Sequence, residues 1–584
     1  MIDKKMDVGN LNFRKNKDDL LFIPLGGSNE VGLNCNLYHC DGKWIVVDCG
    51  IGFVKTVPGV ELLVPDISLL RKLKKDILGV FITHIHEDHL GAVQYVWRDL
   101  ELPIYASRFT KLFLQEKLKE YDFHKRVKIN ELNEGGKVNL DPFQIEFVGL
   151  THSTPEMNAL IIKTEKGTIL HSGDWKFDDD PVIGQKSNVK RLKQLGSRGE
   201  ILAAVCESTN VFNDEKPQLE SELFDSFYKI IKNKTGLVVF TTFASNIGRI
   251  KTIVDVAKKT RRKVALVGNS LYRLIRVAKE VGYLQDKSDF IGEDEIKNYK
   301  KENLILIATG CQGNVNAGVN KLANGTYRHL KINEGDLVIF SSKVIPGNEK
   351  EIQLLYNKFA EKDVEVITEQ DEFVHVSGHY CVQDLKDFYS YVKPKIAIAV
   401  HGDAVHLQEH HKIARSCGIK SVGKSKNGVI LKISSDKVEK IGQIRIDSVV
   451  VDGKRLLPTS SEILGVREKM EEVGVVFVNL IISTKYKIIA DPVIATPGGY
   501  NLKKDKATKE ILTEDIVKGY NNGIRQINEL KQNNKSKFLT DEEKENFLKQ
   551  KVKNAVNKLY DTDIGKEPVI EIFFSKIQVT PNVS

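Results

Sequence analysis

Short apolar runs, each ending in a polar or ligand-type residue, set the rhythm of the first half of the chain. Leu21-Phe22-Ile23-Pro24-Leu25, Trp44-Ile45-Val46-Val47 and the mostly apolar Leu78-Gly79-Val80-Phe81-Ile82 read as buried strands, because apolar runs this short, bounded by turn residues, fit strands better than helices. The second run delivers Asp48 to its tip, and Cys49-Gly50 turns the chain away. The third delivers Thr83-His84-Ile85-His86-Glu87-Asp88-His89, after which Leu90-Gly91-Ala92 starts a helix. Two more runs end at His152 and at His171-Ser172-Gly173-Asp174. Beyond Val205-Cys206-Glu207 the pattern changes. Apolar runs at 237–240, 264–267, 304–307 and 337–340 alternate with helical stretches such as Ile247 to about Lys259, which predicts a parallel sheet with helices on its faces. Strand-like runs then lead into Val374-His375-Val376-Ser377-Gly378-His379 and Val400-His401-Gly402-Asp403. From about 440, short strands at 444–446 and 448–453 precede a β-β-α-α-β unit. Its strands are expected at 475–482, 487–490 and 569–574, and its second helix opens on the capping box Thr540-Asp541-Glu542-Glu543. The polar start, 1 to about 19, is expected to be loosely ordered.

Composition narrows the class. With 584 residues, 41% of them hydrophobic, the chain is long enough for two to four domains with real cores. Lysine and arginine outnumber the acids 87 to 78, a net +9 that is compatible with nucleic acid without pointing to it. The seven cysteines form no CxxC pair and sit mostly in or beside apolar runs, so reduced thiols in a cytoplasmic protein are expected rather than disulfides. No secretion signal and no apolar run of about eighteen residues is visible, which excludes a membrane span. The candidate chemistry lies at the strand tips. The chain has 14 histidines, yet three fall within the six positions 84–89, and imidazole with carboxylate is a donor set that Zn²⁺ accepts. His84 and His86, two apart, can point together from an extended loop, while Asp88 and His89 can serve a second metal. Asp48 is a candidate carboxylate behind them, orienting a ligand histidine or the loop. Taken singly, His152, His379 and His401 would be ordinary hydrogen-bonded loop histidines; several such tips in one chain argue otherwise. The basic run Lys258-Lys259-Thr260-Arg261-Arg262-Lys263 reads as a solvated helix end rather than an RNA track.

Asp48, the H-x-H-x-D-H stretch, His152 and Asp174 resemble, in order and context, the metal motifs of the metallo-β-lactamase fold. The resemblance implies two sheets packed between outer helices and two metals at one edge. His84, His86 and His152 would hold the first metal, Asp88 and His89 the second, and Asp174 would bridge them, with a metal-activated water as nucleophile. Glu207, His379 and His401, around the inserted α/β region, resemble the extra motifs of the β-CASP nucleases, a branch acting on nucleic acids. His401 would complete the second metal's shell and imply RNA rather than DNA. His379 would bind the scissile phosphate or protonate the leaving oxygen, so Asp88, Asp174, Glu207 and His379 form the expected catalytic set. Loops at the carboxyl ends of parallel strands bind ligands in such sheets, and substrate contacts are expected from Ser245, Asn246, Ser342, His375, Ser377, Gly378 and His379.

Within that branch the chain resembles the bacterial ribonuclease J family. The stretches Leu25-Gly26-Gly27-Ser28-Asn29-Glu30-Val31-Gly32, Phe243-Ala244-Ser245-Asn246, Ile345-Pro346-Gly347-Asn348-Glu349, Ser377-Gly378-His379 and His401-Gly402-Asp403 carry the likeness. Glu207 stands where the family usually has aspartate, Asp403 where it has glutamate, Asn269 where it has arginine and Gly248 where it has histidine. The last two changes weaken an expected 5′-phosphate pocket. The resemblance implies an αββα sandwich over 20–210 and 366–450, an inserted parallel-sheet β-CASP domain over 211–365, a linker over 451–472 and a small C-terminal α+β domain over 473–584. It further implies two Zn²⁺ per chain, with Mn²⁺ or Mg²⁺ as alternatives, single-stranded RNA as partner, a homodimer or homotetramer, and endonucleolytic plus 5′→3′ exonucleolytic cleavage in RNA maturation, including rRNA processing, and decay. A catalytically weak RNA-binding scaffold and another hydrolase of the same fold are the alternatives.

Overall fold

The computed structural model describes residues 17–54, 58–215, 218–284, 290–532 and 540–578. Most of the polar start expected to be loosely ordered, 1–16, therefore lies outside the described residues. The chain divides into two compact units, one comprising Leu62–Val449 with the residues before Val54, the other built on Val450 onward.

In the first unit the apolar runs become two large sheets. Leu20–Gly26, Cys35–Cys40 and Lys43–Val47 pair antiparallel, and Ile77–Phe81 joins parallel to Lys43–Val47. In the second sheet Gly167–His171, Ile201–Glu207 and Ile396–Val400 run parallel as neighbours. The inner faces meet in one core: Phe22, Tyr38, Val47 and Phe81 from one sheet pack with Phe147, Leu160, Ile162, Val205 and Ile398 from the other. Each such large apolar side chain contributes about 1.5–3 kcal/mol on burial, so the sheets are held together strongly enough to fix the loops at their rim. Helices close the outside. Leu192, Leu385, Phe388 and Ile413 pack around the fully buried Trp175 on the second sheet, and Arg108–Leu118 lies on the strands Ile104–Ala106 and Ile129–Glu131. This is the αββα sandwich. The return of the chain matters most for the site. Val400 pairs with Glu207, and Val205 with His171, so the loops carrying Asp174, Glu207 and His401 emerge side by side.

The inserted region forms a six-stranded sheet in the order Phe290–Ile291, Lys263–Val267, Leu304–Ala308, Val238–Thr241, Leu337–Phe340 and Glu365–Ile367, parallel throughout. The helix expected from Ile247 runs Ile247–Lys259. Arg262 in the basic run is buried and donates to the carbonyls of Gly236 and Leu304 at 2.9 and 3.1 Å; it closes loops. All seven cysteines are free thiols, six of them buried.

In the second unit Val475–Ser483 is flanked by Val569–Ile577, parallel, and Val493–Ala495, antiparallel. The helices Lys506–Gln532 and Asp541–Asp563 cover one face of this sheet through Leu512, Ile516, Tyr520, Val552 and Tyr560. Thr540 caps the second helix, accepting from Glu543 N at 3.2 Å. Three sequence expectations shift. In the first unit, residues 444–446 form no strand and follow the strand Val438–Gln443. In the second unit, residues 487–490 meet the long strand at the bridge Ile482–Ile488; Asp491-Pro492, where proline lacks an N–H, interrupts the ladder, which resumes at Val493–Ala495. The stretch 451–472 carries the strand Arg455–Pro458 and the start of the helix Glu462–Val473. Among the described residues no helix is long and apolar enough to cross a membrane.

Candidate metal centre and active site

The loop after Ile77–Phe81 is pinned by its backbone before any side chain is considered. Asp88 O accepts from Asn34 N at 3.0 Å, His89 O from Cys49 N at 2.7 Å and Glu87 O from Ile51 N at 2.9 Å. Gly50 makes that approach possible, since a Cβ there would fall 1.7 Å from Asp88 O. Asp48 and His401, both at strand tips, have left-handed backbones with φ of 62° and 53°. Non-glycine residues hold this conformation only where the surroundings enforce it, and such outliers cluster at functional sites. The turn aims both side chains at the loop.

Asp48 orders two histidines. Its carboxylate accepts from Thr83 N at 2.8 Å and from the Thr83 hydroxyl, which accepts in turn from His84 Nδ1 at 3.0 Å. Its Oδ2 accepts from His89 Nδ1 at 2.7 Å. Gly378 O takes the Nδ1 proton of His152 at 2.6 Å. With Nδ1 so engaged, His84, His89 and His152 each turn Nε2 toward the centre. Two histidine-rich clusters of donor atoms result, His84–His86–His152–Asp174 and Asp88–His89–Asp174–His401, each with all its atoms within 4.8 Å of one another and with Asp174 common to both; a third such group, Asp174–Glu207–His379, adjoins them. His86 Nδ1 lies 3.1 Å from His152 Nε2, and Asp174 reaches His89 Nε2 at 3.1 Å and His401 Nδ1 at 2.8 Å. Among the described residues, Nε2 of His84 is buried without a hydrogen-bond partner, while His401 Nε2 faces Asp88 Oδ2 at 3.3 Å. Buried polar atoms are ordinarily satisfied, so an orphaned His84 nitrogen beside converging imidazoles and carboxylates fits metal cations.

The charges agree. Burial pushes His84 and His152 well below the ordinary imidazole value and His86 down to about 4, leaving them neutral, as metal ligation requires. Burial also opposes charge on His89 and His401, but Asp174 and Asp88 outweigh it and lift His401 to about 10 and His89 well above its usual value. The same pairing overcomes burial to hold Asp88 and Asp174 ionised. Protons on His89 and His401 thus answer the carboxylates where a cation would stand.

Beside these groups His379 donates from Nδ1 to Glu207 Oε1 at 2.9 Å. Glu207 is itself fixed by Trp175 N at 3.3 Å and by the Thr209 hydroxyl. Burial lowers the affinity of His379 for a proton, yet the Glu207 carboxylate more than reverses this and raises it. A cavity of about 330 Å³ adjoins the centre, lined among others by His152, Ser153, Lys176, Asn246, Gly248, Ser377 and Gly378.

The expected substrate contacts divide. Asn246, Ser377 and Gly378 line this cavity. Ser245 instead places its hydroxyl 3.1 Å from His86 Nε2. Ser342 is buried facing the Cys311 thiol and lines neither this cavity nor a second one of about 510 Å³. His375 reaches only the second cavity, 3.5 Å from Arg249 Nη1, and burial next to that cation keeps it neutral. Asn269 is exposed and lines neither cavity.

Sequence reasoning passed over Arg249. It is fully buried, bidentate to Glu220, and donates to Ser341 Oγ at 2.6 Å and Val376 O at 3.3 Å. It therefore ties the inserted sheet to the loop bearing His379. Removing one member of a buried pair typically costs about 3–5 kcal/mol, so Arg249→Ala is expected to lower the melting temperature markedly, with no recovery in Arg249→Lys, whose point charge lacks the fork. An unchanged melting curve would contradict this role.

Residues 43–189 match the model of the beta-lactamase superfamily domain, 235–359 that of the ribonuclease J beta-CASP domain and 363–422 that of the Zn-dependent metallo-hydrolase RNA specificity domain. Fold and site together define a metallo-hydrolase of the β-lactamase superfamily with an inserted β-CASP domain. Ribonuclease J of Sinorhizobium meliloti is 34% identical over 96% of this chain and 98% of its own length. Ribonuclease J of Helicobacter pylori (strain 26695) is 32% identical over 83% of this chain and 72% of its own, and that of Mycobacterium tuberculosis (strain H37Rv) 33% over 74% and 78%. The chain belongs to the ribonuclease J family. A crystal structure of a protein of unknown function from Enterococcus faecalis V583 shares the fold, with a TM-score of 0.51 at 15% identity over 74% of this chain and all of that one.

Proposed function

We propose that this chain is a two-metal ribonuclease of the cytoplasm, cutting single-stranded RNA internally and from its 5′ end in RNA maturation and decay. The observation that carries the two-metal reading is the pair of donor clusters joined at Asp174, with a buried Nε2 on His84 that has no hydrogen-bond partner among the described residues. His84, His86 and His152 would hold one zinc, Asp88, His89 and His401 the other, and Asp174 both. Bound there, the metals supply Lewis acidity and a water acidic enough to attack near neutral pH. The remaining work falls to the chain. Asp48 orients His84 and His89, and Glu207 turns His379 so that Nε2 holds the proton the leaving oxygen needs. Backbone and hydroxyl donors at Ser377 and Gly378, with Asn246 and the buried Lys176 in the same cavity, seat phosphate oxygens. In this reading the β-CASP domain spans 211–365, and the chain self-associates as a dimer or tetramer. A scaffold without catalysis has no need of the full donor set.

A 5′-monophosphate should fit this cavity where a triphosphate crowds it. Gly248 offers no side-chain donor there, so the preference is expected to be weak. Matched single-stranded RNAs with 5′-hydroxyl, monophosphate or triphosphate ends, run beside a DNA oligonucleotide, should be cut fastest as the monophosphate and slowest as DNA. Equal rates on the three RNA ends would remove the pocket, and faster DNA cleavage would overturn the RNA assignment.

A further inference from the structure

Each first-cluster histidine can offer a metal only the nitrogen that does not carry its proton. His152 gives its Nδ1 proton to Gly378 O at 2.6 Å, and His84 Nδ1 faces the Thr83 hydroxyl at 3.0 Å, so both present Nε2. His86 is the exception. Its Nδ1 is the atom turned to His152 Nε2, at 3.1 Å. To ligate there, His86 must keep its proton on Nε2, and a partner that accepts from Nε2 holds it there and fixes the ring. That partner is Ser245 Oγ, 3.1 Å from Nε2 and 159 residues further along the chain.

We propose that Ser245 is a positioning residue for His86, through which the inserted α/β domain holds a ligand of the first metal cluster. The loop bearing Ser245 is built to do this. It follows the strand Val238–Thr241 and enters the helix Ile247–Lys259. Asn246 Oδ1 accepts from Arg249 N at 2.9 Å, Ser245 O from Ile247 N at 2.9 Å and Phe243 O from Asn246 N at 3.1 Å. Among the described hydrogen bonds of His84, His86 and His152, this is the one that comes from the inserted sheet.

The inference rests on the two-metal reading above, and its test separates the two. Full-length protein, Ser245→Ala and Ser245→Thr are each titrated with zinc against a chromophoric chelator. Wild-type protein should bind two zinc ions. Ser245→Ala should bind one of them about 10–100-fold more weakly, the usual cost of losing a ligand's hydrogen-bond partner, with the other unchanged. Ser245→Thr should restore the affinity. Wild-type affinity at both sites in Ser245→Ala, with only KM for RNA raised, would make Ser245 a substrate contact alone and overturn the proposal while leaving the metals in place. Failure of wild-type protein to take up zinc or any other transition metal would remove the two-metal reading and this inference together.

Discussion

Asp174→Ala is expected to empty the metal centre and abolish turnover together. Asp174 is the carboxylate common to both donor clusters and also lies beside the Glu207–His379 pair. Its side chain is almost wholly buried, with Oδ1 2.8 Å from His401 Nδ1 and Oδ2 3.1 Å from His89 Nε2. Taking it away removes one ligand from each cluster and leaves His89 and His401 without the charge that sustains them. The loss should exceed the roughly 10–100-fold cost of disturbing a residue that merely supports a ligand. Metal content by elemental analysis and RNA cleavage, measured on the same preparation, should fall in parallel. Retention of normal metal with lost activity would show that Asp174 acts on substrate and is no ligand.

His379→Ala should do the opposite. His379 stands outside the two clusters that share Asp88, His89 and His401 or His84, His86 and His152, and its Nδ1 is committed to Glu207. The metals should remain, while the rate falls by about 10²–10⁴-fold, the range for a general acid or base. The raised proton affinity of His379, set by the Glu207 carboxylate against the opposing effect of burial, is what suits it to hold a proton near neutral pH. A His379→Ala protein stripped of metal would place His379 among the ligands.

What the sequence made legible were features that local pattern encodes. An apolar run that stops at a histidine or aspartate is visible in one dimension, and so the tips at Asp48, His84, His152, Asp174 and His401 could be named. The parallel strands of the insert were readable for the same reason, the run at 264–267 becoming Lys263–Val267. Features set by partners far along the chain were not. Arg249 within an amphipathic helix reads as a solvated cation, and its burial depends on Val376, 127 residues away. Ser245 looked like a phosphate contact because strand-end serines often are, and only folding shows it against His86. His375 and His379 sit four apart in one loop with the same residue type, yet one faces Arg249 and the other Glu207. The left-handed turns at Asp48 and His401 leave only a weak trace in residue type, since aspartate and histidine are merely enriched in that conformation. In the second unit a three-residue strand beside Asp491-Pro492 is too short for periodicity to locate.

The central claim is that RNA hydrolysis by this chain runs on two metals held by residues meeting at Asp174. Metal-stripped protein titrated with zinc, while cleavage of a single-stranded RNA is followed, tests it directly. Cleavage should be absent at the start, rise as zinc is added and level off close to two ions per chain. Full cleavage by the stripped protein, unchanged by zinc, manganese or magnesium, would contradict the account.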